Sequence, residues 1–190
     1  MGIGKVERLN PTPELAAWMA SSLAEAEPAA FPSADQLGFD AWSISDIAAE
    51  FSDEDGDGDF KIASLEIRDL KDQKAALTKL SGLTFDFVDA EESVPVKMNL
   101  DSFAITNADV SFLEAIQQNM DDEDAMAQAV MDKMYDNPME PGYDRVTMDN
   151  FTVDASGVSF AMPSLDAHVE RNSKGQPVKF VTEPLTMKLD

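Results

Sequence analysis

Apolar positions along the chain follow two kinds of spacing. Leu15, Trp18, Met19 and Leu23 recur at i, i+3, i+4 and i+8, which is one face of a helix. Thr12-Pro13-Glu14 supplies an N-cap, a first-turn proline and an early acid for it, and Pro28 stops it. Residues 1–11 before it read as a loose leader. A second helix is expected after Asp109, striped by Leu113, Ile116 and Met120, then by Met126, Val130 and Met134, and ended by Asn137-Pro138. Most of the remaining chain alternates as strands do. Trp42 and Ile44 share one parity, and Ile47, Ala49 and Phe51 share the other. Phe60 and Ile62, Leu83 to Phe87, Val96 to Ile105, Val146 to Val153, Val158 to Val169 and Val178 to Leu189 complete the strand set. Residues 69–81, polar and lysine-rich around Leu77 and Leu80, read as a short helix.

Two stretches repeat this order. Trp42, Ile44, Ile47 and Ala49 correspond to Val146, Met148, Phe151 and Val153, and Ile62 to Glu66 correspond to Met162 to Asp166. Phe87-Val88 matches Phe180-Val181, and Pro95 to Asp101 matches Pro184 to Asp190. A helix precedes the first strand of each copy. The expected organisation is a leader (1–11), a first helix-plus-strands unit (12–107) and a second (108–190), forming one compact or elongated domain. The first copy continues beyond Asp101 as Ser102-Phe103-Ala104-Ile105, whereas the second stops at Asp190, so a segment of a longer protein with more such units is one expectation.

Strand parity flips near residues 45–46 and 63–64 in the first hairpin, and near 149–150 and 163–164 in the second. With turns near 54–55 and 156–157, the flips lie opposite each other across paired strands. A flip means an inserted bulge residue, an exchange of buried face, or two short strands in place of one. Pro163 sits at one flip, as bulge prolines do. Opposed flips point to a sharply coiled sheet, curling around a helix or forming an orthogonal sandwich. The fold class expected is therefore α+β: long, kinked antiparallel strands in two divergent repeat units, each preceded by a helix, in a strongly curved sheet packed on helices.

Charge narrows the partners. The 190 residues carry 14 basic and 37 acidic side chains, for a net charge of −23. That disfavours bare phosphate backbones and anionic membrane surfaces, so neither nucleic acid nor such a membrane is expected. There is no cysteine, which excludes disulfides and thiolate metal sites. No apolar run has the length of a membrane-spanning helix, and Met1 to Asn10 has no signal-like apolar stretch. Periplasmic or extracellular residence is slightly favoured, by analogy with half-closed sheets of bacterial envelopes.

Candidate chemistry is sparse. The loop Asp53 to Asp59 resembles the calcium loop of the EF-hand family in its alternating aspartates and its glycines. That resemblance implies Asp53, Asp55, Asp57 and Asp59 as ligands for calcium, the one cofactor considered. Each register breaks a near-obligatory position. Counting from Asp53 puts Ser64 at position 12, and counting from Asp55 puts Phe60 where glycine belongs. An acidic hairpin turn is the competing interpretation. Met120, Met126, Val130 and Met134 form the candidate ligand-binding stripe, an adaptable apolar surface for a lipid or a partner segment, with core filling as the alternative. The single histidine, His168, is out of phase with Leu165, Ala167 and Val169, and no nucleophile elbow accompanies it. No P-loop or dinucleotide fingerprint occurs. The function expected is thus non-enzymatic: a binding or scaffold module holding an apolar ligand or protein partner in a groove of a curved sheet. The alternatives are a calcium-responsive acidic surface protein and an acidic mimic that occupies a basic partner.

Overall fold

The computed structural model describes residues 4–23, 32–33, 36–52, 56–89, 95–111, 125, 128, 131–132 and 141–189. Nine strands and one helix are defined: β1 (Lys5–Leu9), α1 (Pro13–Leu23), β2 (Phe39–Ser52), β3 (Gly56–Lys71), β4 (Lys74–Asp89), β5 (Pro95–Asp109), β6 (Arg145–Ala155), β7 (Val158–Arg171), β8 (Pro177–Thr182) and β9 (Lys188–Leu189). All strands join one antiparallel sheet. β1 to β8 lie in chain order as a meander, and β9 also pairs with β7.

The expected α+β class is overturned. Among the described residues the protein is nearly all β, with one 11-residue helix besides helical positions at 125, 128 and 131–132. No described helix is long and apolar enough to cross a membrane. The described strands make their extensive contacts with their neighbours in the pairing order, and β1 and β8, at the two ends of that order, are not paired with each other. The described helix packs at one end of the sheet. There Leu15 of α1 meets Leu37, Leu70, Ala75 and Val110 in the buried core, with Trp18, Phe39, Ile67 and Ala108 against it. Thr12 fastens the start of the helix to the following loop: its N–H donates to Gly38 O at 2.8 Å and its hydroxyl to Gln36 O at 2.7 Å.

Two further expectations change. Residues 5–9, read as part of a leader, form β1 on β2. Residues 69–81, read as a short helix, are the end of β3, a two-residue turn and the start of β4. Asp72 and Gln73 both have positive φ (49° and 62°), the signature of a type I′ hairpin turn. Leu77 and Leu80 misled because spacing by three marks one face of a helix but opposite faces of a strand. The turn at Ser156-Gly157 has the same left-handed pair (52° and 81°) and stands where it was expected. All six residues of the second helical stripe lie outside the described residues, although Asp109 Oδ1 does accept the Ser111 N–H at 2.8 Å.

The kinks have a single physical cause. Asp46 in β2, Gly82 in β4 and Asn150 in β6 have φ of 55°, 61° and 47°. Between Ser45↔Ser64 and Ile47↔Ile62, one residue on each strand is passed over, Asp46 on one side and Ala63 on the other. The same one-for-one step recurs at Gly82 and Asp101, and at Asn150 and Pro163. Equal counts mean that no residue is inserted, so these are left-handed kinks and not bulges. Asp69 in β3 (48°) and Asn107 in β5 (51°) form a second row. Left-handed backbone is costly for most side chains, and the sequence supplies only Asp, Asn and Gly there. The kinks let apolar residues three apart serve one face: Ile67 and Leu70, on either side of Asp69, contact the same core. Gly82 has a second constraint, because a Cβ there would stand 2.7 Å from Ala63 Cβ.

Two substitutions separate conformation from side chain. Asp46→Gly is expected to stay within about 0.5 kcal/mol of the parent, whereas Asp46→Val should cost about 2 kcal/mol. Gly82→Val should cost more, about 3 kcal/mol, because the clash adds to the dihedral strain. Urea denaturation of the three variants checks this order.

Candidate functional site: the apolar face of the sheet

Residues directly opposite in an antiparallel sheet point to the same side, so the pairing register identifies each face. On the turn side of the first kink row, Ile47, Ile62, Leu83, Leu100, Phe151 and Met162 form one row across six strands. Ala49, Phe60, Phe85, Met98, Val153 and Phe160 form the next, and Leu189 of β9 extends it. On the other side of the kinks stand Ile44, Leu65, Leu80, Phe103, Met148 and Leu165. A fourth row holds Trp42, Ile67, Thr78, Ile105, Val146 and Ala167. At about 4.8 Å between strands, a six-strand row runs roughly 24 Å. Apart from Leu189, these side chains are half-buried, and none reaches the buried class. A contiguous apolar face of this extent calls for a covering or a partner.

Aromatic packing shapes one end of the face. Phe51, Phe85 and Phe87 stack with ring centroids 6.1–6.3 Å apart, and Phe151 meets Phe160 edge-on at 6.1 Å. Gly58 lies opposite Phe51 on one side and Phe87 on the other. A Cβ on Gly58 would come within 2.5 Å of the Phe51 ring, so the glycine is the opening through which Phe51 reaches its partners.

The opposite side is polar. Glu50, Asp59, Asp86, Lys97 and Asp154 make one cross-strand row. Lys61 Nζ pairs with Asp59 at 3.0 Å, and the hydrogen bond and charge of that carboxylate raise the lysine pKa. Asp86 Oδ1 is shut off from water, and Lys97 Nζ at 3.1 Å is the charge that meets it. A shallow cavity of about 500 Å³ opens at this end, lined by Glu50, Phe51, Ser52, Asp57, Gly58, Asp59, Asp86 and Val88. Nearer the kinks runs a row that was not anticipated: Ser45, Ser64, Ser81, Ser102, Asp149 and Ser164. Ser102 Oγ donates to Asp149 Oδ2 at 2.7 Å. The signal was present in the sequence as a serine or aspartate inside each strand's apolar pair, one residue from one member and two from the other. Only the register aligns them.

The sites expected from sequence fare differently. Asp57 and Asp59 are consecutive same-face positions of β3, whereas Asp53 and Asp55 lie outside the described residues. Among the described residues, no group of three or more His, Asp or Glu side chains is placed to hold a metal ion. Met120, Met126, Val130 and Met134 also lie outside the described residues. His168 stands opposite Arg145 and Val181, in a row with Arg68 and Leu77. Asp166 accepts Arg145 Nε at 2.8 Å and also Arg145 Nη2, and the guanidinium holds that carboxyl below its usual range.

One carboxylate ties three strands together. Asp144, just before β6, donates its N–H to Thr106 O at 2.9 Å, and its carbonyl accepts the Val169 N–H at 2.8 Å. Its carboxylate takes hydrogen bonds from Asn107 Nδ2 and from Arg171 Nε, the latter at 2.8 Å. Burial is the largest single influence on its pKa and pushes upward. The two hydrogen bonds and the charges of Arg171 and Lys74 together outweigh it and hold the group below 3.8.

Comparison with known proteins finds no matching family model, no matching curated protein and no matching solved structure.

A depressed carboxylate pKa contributes stability above the unfolded-state value, and loses it as pH falls through the folded value. Asp144→Asn should therefore lower stability at pH 7 by about 1 kcal/mol, a modest figure because over a third of the side chain is exposed. As pH falls through the depressed folded value of the Asp144 carboxyl the two proteins should converge, as read by urea midpoints across pH.

Proposed function

We propose that the protein is a non-enzymatic binding module that holds an apolar ligand, a lipid acyl chain or similar hydrocarbon, against the apolar face of its sheet. The observation that carries this is the unbroken sequence of apolar rows across six strands, on side chains that the described protein leaves half-exposed. Three of the four rows contain no hydrogen-bonding side chain. Such a surface favours a ligand that needs no polar partner along its length. The charge of −23 favours a zwitterionic or neutral head group over an anionic one.

A duplicated hairpin, β2–β3 and β6–β7, is the origin we propose for this face; the kink pairs Asp46 and Ala63, and Asn150 and Pro163, fit it, while β4–β5 carries the same step at Gly82 and Asp101. In that interpretation the second copy widens one continuous surface and does not build a separate site.

The test is binding of a fluorescent phosphatidylcholine, together with native mass spectrometry of protein purified without added lipid. Saturable binding or a co-purified lipid mass is expected. Phe85→Asp should weaken binding at least tenfold, and Thr84→Asp on the opposite face should leave it unchanged. If Phe85→Asp does not fold, Met98→Ser on the neighbouring strand replaces it. Absence of both binding and adduct, or equal loss from Thr84→Asp, would overturn the proposal.

A further inference from the structure

Exposed large apolar side chains gather at one edge of the sheet. Val178, Phe180, Leu185, Met187 and Leu189 are between 43% and 73% exposed, and all lie in or between β8 and β9. These two strands are halves of one. Ala167 pairs with Thr182 and Ala161 with Lys188, six residues apart on both sides, so β8 and β9 share one register along β7. Glu183 N–H, donating to Asp166 O at 2.9 Å, keeps that register beyond β8.

The pairing gives this edge a counterpart inside the sheet. Phe85 stands opposite Phe60 and Thr84 opposite Lys61 on β3, as Leu189 stands opposite Phe160 and Lys188 opposite Ala161 on β7. The β8–β9 line therefore holds the place on β7 that β4 holds on β3. The outer side of β4 is covered by β5, which sets Met98 against Phe85, Leu100 against Leu83 and Phe103 against Leu80. Among the described residues, the outer side of β8–β9 is covered by nothing.

Charge does not close this edge to a partner. Pro184 to Leu189 contains one lysine and no carboxylate, in a chain with 37 acids. Pro184, Lys179 and Lys188 are ordinary guards of a sheet edge, but Leu185, Met187 and Leu189 leave it adhesive.

We infer that the β8–β9 edge docks an extended antiparallel strand of a partner protein, patterned as β5 is. That pattern is apolar residues at alternating positions, a two-residue polar step at the kink, and apolar residues again. Backbone hydrogen bonds supply the attachment, and the alternate side chains extend the apolar rows by one strand. The inference rests on the pairing register and stands whether or not the face holds a lipid.

The probe is a synthetic peptide of residues 95–109, the β5 sequence, added to the intact protein. Fluorescence anisotropy should show saturable binding, and hydrogen exchange should slow at residues 184–189. A scrambled peptide that breaks the alternation, and one N-methylated at alternate residues, should each bind at least tenfold more weakly. Met187→Lys and Leu189→Lys should also weaken binding at least tenfold without lowering the melting temperature, since both side chains are exposed. Lack of binding, protection on β4 instead, equal binding of the N-methylated peptide, or a peptide-free dimer that already protects 184–189 would overturn the proposal.

Discussion

The architecture turns on a backbone constraint. In a regular strand, residues three apart face opposite sides of the sheet, yet apolar pairs here recur at that spacing: Ile44 and Ile47, Leu65 and Ile62, Leu80 and Leu83, Phe103 and Leu100, Met148 and Phe151, Leu165 and Met162. Left-handed residues on alternate strands, Asp46, Gly82 and Asn150, stand between these pairs. Across the second row of kinks, the shared packing of Ile67 and Leu70 demonstrates what such a residue achieves. Because each kink is matched by one skipped residue on the neighbouring strand, the hydrogen-bonded ladder resumes in register. A kink on one strand alone would slip the ladder by one residue and turn every apolar side chain beyond it to the polar side. The kinks therefore hold their place as rows.

Those rows explain the distribution of small and polar residues. Ala63 and Gly82 meet where a second Cβ would collide, and Pro163 occupies a kink position where the ladder asks for no donor. Asn150 Nδ2 donates to Asp101 Oδ2 at 2.5 Å, joining two skipped residues across the β5–β6 boundary. Among the described residues the buried core, by contrast, is small and sits at the α1 end, with Asp144 and Arg171 clasping β5, β6 and β7 nearby. Order over the rest of the sheet comes from long ladders and half-buried rows of side chains, each contributing only part of the ~1.5–3 kcal/mol available to a fully buried residue.

Much of this was legible in the sequence. The parity flips at 45–46, 63–64, 149–150 and 163–164 coincide with the first kink row, because burial on one face leaves a strict pattern. The helix at 13–23 and the turn at 156–157 followed from capping and turn chemistry. Three features were not legible. The flip was read as a bulge, a change of face or two short strands, since spacing alone does not distinguish an inserted residue from a left-handed one. The hairpin at Asp72-Gln73 was missed because glutamine gives no left-handed signal, and Leu77 and Leu80 imitate a helix. The correspondence of 95–101 with 184–190 followed local similarity, whereas the pairing sets Leu189 in the place of Phe85. Generic strand sequences resemble one another, and only long-range register tells which neighbour each one takes.

Face and edge of the same sheet offer different chemistry to a partner. On the face, the ladders engage the backbone of the interior strands with neighbouring strands outside the kink positions, and the three most apolar rows offer only hydrocarbon, aromatic rings and methionine thioethers. A peptide laid flat there would leave its own N–H and C=O groups unpaired, at about 1–3 kcal/mol for each one buried. A hydrocarbon bears no such cost. Along the β8–β9 edge the balance reverses, because an open ladder offers backbone donors and acceptors to which only another extended chain is complementary. The two surfaces meet at Leu189, which belongs to the Phe85–Phe160 row and also borders the open edge. A strand added there would lengthen the apolar face by one position, so a partner on the edge and a ligand on the face, where both bind, would be coupled through that residue.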